Sequence, residues 1–248
     1  MVQAITFDFW DTIAIDESDE LKRKDVGLPT KVQARLQLFA DEILRYHSEI
    51  NLSQIGKAFQ HANENFTNLW KQKHITLPVV DRFREGYRFL EIELTPSFDV
   101  FVKAIEEMEV LIPPYPVDNI AKVIASLATD YKLGIISDTI HTPGRGIKKM
   151  LQNWGIIQYF SGFIFSDEVG RSKPSPVVFK KAAETLEVST NEILHIGDRE
   201  KTDIDGAVRV RAKSVLYTGA NDRDLSNQTR ANAICRNYAE LTEILKQL

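Results

Sequence analysis

The chain has 248 residues, of which 43% are hydrophobic and 27% charged; this is the composition of a soluble globular protein with room for one large domain or two smaller ones. Its net charge of −4 argues against a nucleic-acid surface, which is usually basic. A single cysteine, Cys235, excludes an internal disulfide and fits a reducing cytoplasm, and Asp8 and Asp11 stand where a secretory leader needs an apolar run.

The chain opens with Val2-Gln3-Ala4-Ile5-Thr6-Phe7, apolar on both faces toward its end, as buried parallel strands are. Residues 16–25 are charged and run into Gly27-Leu28-Pro29, which reads as a loop. From Thr30 to Glu109 the apolar period becomes helical. Thr30 and Gln33 make a capping-box pair ahead of Val32, Leu36, Phe39 and Ile43. Ser53 is placed to cap a second helix, with Ile55, Phe59, Ala62, Phe66 and Trp70 on its apolar side. Pro78 suits the first turn of a third, with Phe83, Tyr87 and Leu90 inward. Ser97 can cap a fourth, carrying Phe98, Phe101, Ile105 and Met108. No strand signal interrupts these helices, so they read as one bundle.

Ile112-Pro113-Pro114-Tyr115-Pro116 ends that pattern. The spacing then predicts helix 117–129, strand 132–136, helix 144–153, strand 163–165, helix 175–186, strand 193–196, helix 202–210, strand 214–217 and helix 238–247. Such alternation argues for an α/β fold: a doubly wound parallel sheet with helices on both faces. The sheet domain would comprise residues 1–15 and 115–248, and a helical-bundle domain, residues 16–114, would interrupt it. The longest uncharged stretch, Met150 to Ser166, is too polar to span a bilayer.

Four motifs carry the chemistry. They are Phe7-Asp8-Phe9-Trp10-Asp11-Thr12, Gly134-Ile135-Ile136-Ser137-Asp138-Thr139, Arg171-Ser172-Lys173-Pro174, and His195-Ile196-Gly197-Asp198 running on to Asp203. Ligands of such sheets bind at the carboxyl ends of the strands. Asp8, Ser137 and Asp198 each fall where a predicted strand ends, and Lys173 lies in a loop before a helix. The four motifs therefore bring a carboxylate, a hydroxyl, an ammonium and an acidic pair to one edge, a set suited to a phosphoryl group and a divalent metal.

In order and spacing these motifs resemble the haloacid dehalogenase-like superfamily, mostly phosphatases, with the likeness densest from Asn153 to Thr218. The resemblance implies a Rossmann-like core with a mobile cap after the first strand. It implies Asp8 as nucleophile, Thr12 and Ser137 holding phosphoryl oxygens beside Asp138, and Lys173 offsetting negative charge. It also implies Mg2+ held by Asp8, the Trp10 carbonyl, Asp198 and Asp203, and a small phosphorylated metabolite as substrate. His195, set between Leu194 and Ile196, reads as a core histidine; His141, in a loop after the second motif, and Arg199 are candidates for substrate contact.

One residue departs from the family pattern. Its phosphatases carry a second Asp two residues after the nucleophile, which protonates the leaving group and later activates water; here that place is Trp10. An indole transfers no proton near neutral pH, and losing a general acid–base typically costs ~10²–10⁴ in rate. Asp11, one residue on, reads as a turn residue. Asp138 stands where Asn is common. The expectation is a magnesium-dependent phosphatase that is slow or prefers good leaving groups. Two rivals remain: a metal-independent 2-haloacid dehalogenase, whose branch also has an aromatic residue at the second Asp, and a non-catalytic chain that binds a phosphorylated ligand or a protein.

Overall fold

In the computed structural model, which describes residues 1–221 and 228–248, six strands form one all-parallel sheet in the order β3-β2-β1-β4-β5-β6. The strands are β1 (Ala4–Phe7), β2 (Lys132–Ser137), β3 (Gly162–Phe165), β4 (Ile193–Gly197), β5 (Lys213–Tyr217) and β6 (Ala233–Cys235). Between β1 and β2 lie α1 (Asp19–Asp25), α2 (Lys31–Tyr46), α3 (Leu52–Lys73), α4 (Val79–Phe89), α5 (Phe98–Glu106), α6 (Met108–Leu111) and α7 (Ile120–Leu127). After β2 come α8 (Gly144–Asn153), α9 (Ser166–Val169), α10 (Pro176–Leu186), α11 (Asp205–Arg209) and α12 (Leu241–Gln247).

Alternate residues of each strand feed two different cores, as a strand's period of two requires. On one face, Ile5, Phe7, Leu133, Ile135, Leu194 and Ile196 pack against α7, α8 and α12. On the other, Ala4, Ile136, Ile164 and Ile193 pack against Val178, Phe179, Ala182 and Leu186 of α10 and Ala207 of α11. The sheet is therefore covered on both sides, as an all-parallel sheet must be. β1 pairs with β2 through Phe7 and Ile135 and with β4 through Phe7 and Ile196. From β1 the chain steps outward to β2 and β3 and then returns to β4 on the other side of β1, so the direction of winding switches beside the end where Asp8 begins.

A third apolar cluster draws only on residues between Ala34 and Met108. Phe39 is its hub, with ring centroids of Phe59, Phe83, Tyr87 and Phe101 at 6.1, 5.6, 6.0 and 5.8 Å. Helix starts are set locally. Thr30 and Gln33 exchange the capping-box bonds ahead of α2, and Ser175 caps α10 with Pro176 in its first turn.

Several sequence expectations need correction. The charged segment after Asp16 is not all loop: Asp19–Asp25 is helical, with acids in its first turn and bases in its last, where each favours the helix dipole. Asn51, not Ser53, caps α3, in a capping box with Gln54. Pro78 is the N-cap residue of α4 rather than part of its first turn, and Ser97 makes no side-chain cap bond. Val32 and Leu36 are 66% and 38% exposed although they keep helical spacing with the buried Phe39 and Ile43. The predicted helix 202–210 starts as a π-helical turn, Glu200–Ile204, before α11. The edge strand β6 had no counterpart in the sequence reading. Among the described residues no helix is long and apolar enough to cross a membrane.

Phe39→Ala should cost about 3–5 kcal/mol of unfolding free energy, the usual cost of removing a fully packed aromatic. Urea unfolding measures it; a loss under about 1 kcal/mol would mean that the ring is not packed as described.

Candidate active site

The site is built from backbone outward. Asp8 is the first residue past β1, and its amide donates to Ile196 O at 2.8 Å, so β4 fixes its position. Ser137 ends β2 and Asp198 follows β4. Gly197 permits the next step: a Cβ there would lie 2.3 Å from Asp203 Cγ, so only glycine lets the Asp203 carboxylate fold back against the strand.

Lys173 sits at the centre, 3% exposed. Its Nζ lies 2.6 Å from Asp8 Oδ1 and 2.6 Å from Asp203 Oδ1, and its backbone amide donates to Asp138 Oδ1 at 2.9 Å. Burial alone would lower the ammonium's pKa, but Asp203, Asp8 and Asp138 push it above its ordinary value. Asp203 moves down: burial would raise it, yet Lys173 and His195 hold it well below the usual carboxylate range. Burial pushes Asp8 up to about 6 against the pull of Lys173. Burial, then Asp203 and Asp8, push Asp198 up to about 8.

One carboxylate oxygen from each of Asp8, Asp198 and Asp203 lies within 4.8 Å of the others. All three residues are buried. Three such carboxylates around one buried lysine crowd negative charge together, which adds to burial in raising Asp198 while Arg199 opposes it. Hard oxygen donors at this spacing suit a small divalent cation, so the residues fit a metal of the magnesium type.

His195 is fully buried, as its place inside β4 implies. It also serves the site. Thr6 Oγ1 lies 2.9 Å from its Nδ1, and its Nε2 lies 3.1 Å from Asp203 Oδ1. With an ionised Asp203 as acceptor, Nε2 carries the proton and Nδ1 accepts from the threonine hydroxyl. His195 thus helps to aim Asp203, whose Oδ2 also accepts from the Arg199 amide at 3.0 Å.

Thr12 is fully buried, and its Oγ1 has no hydrogen-bond partner among the described residues. Such a hydroxyl normally finds one, so a ligand oxygen is a natural acceptor or donor for it. Ser137 Oγ donates to Asp138 O at 3.3 Å. Asp11 is the turn residue that the sequence implies, at φ 51°, with its Oδ1 accepting from the Asp16 amide at 3.0 Å.

A cavity of about 260 Å³ is lined among others by Asp8, Trp10, Asp138, Lys173 and Arg199; Thr12, Ser137, Asp198 and Asp203 are not among its lining residues. The Trp10 ring packs edge-on against Phe9 at 4.9 Å, and Phe9 stacks on Trp154 at 5.9 Å. Arg199 Nε is 3.7 Å from Asp198 Oδ2.

The helical insertion supplies the far wall, which motif reading missed. Trp70 Nε1 on α3 donates to Asp138 Oδ2 at 3.1 Å. Both Asp138 oxygens therefore meet N–H donors. An asparagine would turn an NH2 toward one of them, which explains the acid at this position. Arg82 on α4 donates to Ile140 O at 2.7 Å and to His141 Nε2 at 2.7 Å. His141 lines the cavity, and burial with Arg82 and Arg35 nearby keeps its pKa well below 6.5. The pairing of a buried arginine with a loop carbonyl has no sequence signature; it depends on where α4 docks.

Comparison with known proteins gives the family. A family model for haloacid dehalogenase-like hydrolases matches residues 2–211. The chain belongs to that family. Among relatives of the haloacid dehalogenase-like hydrolase, the glyceraldehyde 3-phosphate phosphatase of Methanocaldococcus jannaschii is 23% identical over all of this chain and 99% of its own. That of Pyrococcus abyssi is 40% identical over 87 residues, a match spanning 35% of either chain. Among solved structures, the 2-haloacid dehalogenase of Pseudomonas syringae pv. Tomato superposes with a TM-score of 0.67 at 17% identity, over 100% of this chain and 99% of that one. At that identity the likeness concerns the fold.

Removing the central cation tests this electrostatic frame. Lys173→Met leaves Asp8 and Asp203 buried without their shared partner, and should cost about 3–5 kcal/mol in metal-free buffer at pH 7. Urea unfolding reads it, and a change below about 1 kcal/mol would contradict the compensating role.

Proposed function

We propose that the protein is a magnesium-dependent phosphohydrolase of a small phosphorylated metabolite, with Asp8 as nucleophile. The observation that carries this reading is the buried trio Asp8, Asp198 and Asp203 around Lys173 at the end of β1. Attack on a carbon–halogen bond needs one carboxylate and no metal. It gives no reason to collect three buried acids in one place. The names of the relatives, glyceraldehyde 3-phosphate phosphatase and phosphoglycolate phosphatase, support small phosphate esters as the substrate class.

In this reading Asp8 attacks the phosphorus in line with the leaving oxygen and becomes an aspartyl phosphate, which water then hydrolyses. Thr12 and Ser137 hydroxyls and the Lys173 ammonium hold the phosphoryl oxygens. Asp8, Asp198, Asp203 and the Trp10 carbonyl would hold Mg2+, which supplies positive charge to the developing phosphoryl anion. Asp138 holds the loop of Lys173 in place through that residue's amide. Residues 16–114 act as a separate cap that closes the site from water, supported by their own apolar cluster and by the Trp70 and Arg82 contacts to the core.

Trp10 favours a second reading, hydrolysis of a 2-haloacid, because an aromatic residue at this place suits attack on carbon. Metal dependence separates the two. Magnesium at a hundredfold excess over its Kd should raise the melting temperature by about 5–10 °C. Asp198→Asn should abolish the shift. A melting curve unmoved by millimolar magnesium would argue against the metal site.

Covalent trapping gives the direct test of the nucleophile. Acid quench of the enzyme with magnesium and an aryl phosphate should yield a phosphorylated peptide containing Asp8, visible by mass spectrometry. Asp8→Asn should remove both the adduct and turnover. Turnover with no adduct, and persisting in Asp8→Asn, would refute the mechanism.

A further inference from the structure

We propose that Asp16 is the general acid and base of the reaction, filling the role that Trp10 cannot. The inference rests on the phosphohydrolase reading above. The group that protonates the leaving oxygen must face it across the phosphoryl group from the nucleophile, because attack and departure are in line. Asp8 approaches from the sheet, and with Trp10 in place of an acid on its own loop, an acid on the side of the insertion is placed to face the leaving oxygen. Asp16 is where the chain enters that insertion, and it lines the same cavity as Asp8, Trp10 and Lys173. Its position is fixed. The Asp16 amide donates to Asp11 Oδ1 at 3.0 Å, and its own Oδ1 accepts from the Glu17 amide at 2.9 Å. The turn at Asp11 thus fixes the backbone of residue 16 as well as closing the first motif.

The other titratable groups on the cavity wall are already engaged. Glu109 binds Lys31 at 2.7 Å, Arg35 at 3.4 Å and the Thr142 hydroxyl, and is held below the usual carboxylate range, so it keeps no proton to give. Asp138 has N–H donors on both oxygens. His141 presents Nε2 to Arg82. Glu20 Oε1 accepts from the Lys31 amide at 2.9 Å. Glu17 is exposed.

The charges around Asp16 suit a proton carrier. Facing it are Lys31 of α2, Glu109 of α6, the neighbouring Asp11 and Glu17, and Arg199 after β4. Burial raises its carboxyl to about 6, Lys31 opposing and the three acids adding to the rise. A catalytic acid works best with a pKa near the operating pH.

The steps balance. As the Asp8 carboxylate bonds to phosphorus, the ester P–O bond breaks and the Asp16 carboxylic acid gives its proton to the departing oxygen, releasing an alcohol. The Asp16 carboxylate then takes a proton from water as the water oxygen attacks phospho-Asp8. The bond between phosphorus and the Asp8 oxygen breaks, the Asp8 carboxylate is restored, inorganic phosphate departs, and Asp16 is an acid again.

The experiment compares wild type, Asp16→Asn and Asp16→Glu in magnesium buffer, on one alkyl and one aryl phosphate, from pH 5 to 9. In the wild type, kcat/KM for the alkyl ester should fall as pH rises through about 6, because the protonated form is the one that reacts. Asp16→Asn should lose about 10²–10⁴ on the alkyl ester and lose that pH dependence. Its pre-steady-state phosphorylation of Asp8 by the aryl ester should stay close to wild type, since a good leaving group needs no proton. Turnover after that burst should slow for want of a base. Asp16→Glu should restore part of the alkyl activity. Equal losses in the rate of Asp8 phosphorylation on both esters, or an unchanged pH profile in Asp16→Asn, would overturn the proposal while leaving the phosphohydrolase reading intact. Absence of phospho-Asp8 in the wild type with either ester would overturn both. A wild-type magnesium melting shift in Asp16→Asn shows that the variant is folded.

Discussion

The Lys173 ammonium is the interaction on which the site depends. It is almost fully buried, yet lies 2.6 Å from two carboxylates that are themselves buried. Each of these charges alone would be costly to take out of water, by several kcal/mol. Together they can stay ionised only while the geometry holds, so the strand ends, the Lys173 loop and the turn carrying Asp203 are tied into one arrangement. The cost explains why so much of the surroundings serves it: Thr6 orients His195, His195 and the Arg199 amide orient Asp203, and Asp138 fixes the amide of Lys173.

The sheet makes this arrangement attainable. β1 lies between β2 and β4, so the residues just beyond these three strands converge without long loops. Side chains that would otherwise be filler acquire chemical work by register. His195 is level with Thr6 in the β1–β4 pairing, which is why the two meet inside the sheet. Gly197 yields its side-chain space to Asp203.

Most of the core site was legible in the sequence because it is local. A strand followed at once by Asp8, Ser137 or Asp198 places each residue by chain geometry alone, and the parallel order of the sheet brings them together. The insertion was legible only as helices. Its capping box at Thr30 and its apolar periodicity are local properties, but which face meets the core is not. Val32 and Leu36 keep the helical period of Phe39 and Ile43, yet they are exposed, and Val32 lines the cavity wall. Trp70 reads as an apolar position on α3, and its indole N–H turns out to bind Asp138. Asp16 begins a charged stretch that reads as a loop; only the docked insertion shows it beside the cavity. The same limit applies to His195, whose neighbours in sequence say core while its neighbours in space include a carboxylate of the site.

The contacts between insertion and sheet are polar where they touch the site. Trp70 meets Asp138, Arg82 meets Ile140 O and His141, the Ser172 amide donates to His74 O, and Thr142 donates to Glu109. The net worth of such contacts is about 0.5–1.5 kcal/mol for the neutral Ser172–His74 bond and about 1.5–3 kcal/mol for those to charged groups. Asp138 accepts from the Lys173 amide, so the hydrogen bond from Trp70 ends one residue from the buried lysine. A ligand that draws Lys173 toward its own oxygens acts on the loop that Asp138 holds, and through Asp138 on α3. The acid at position 138 thereby joins the charge balance of the site to the seat of the insertion, which an amide in its place would do less well because it cannot accept from both partners.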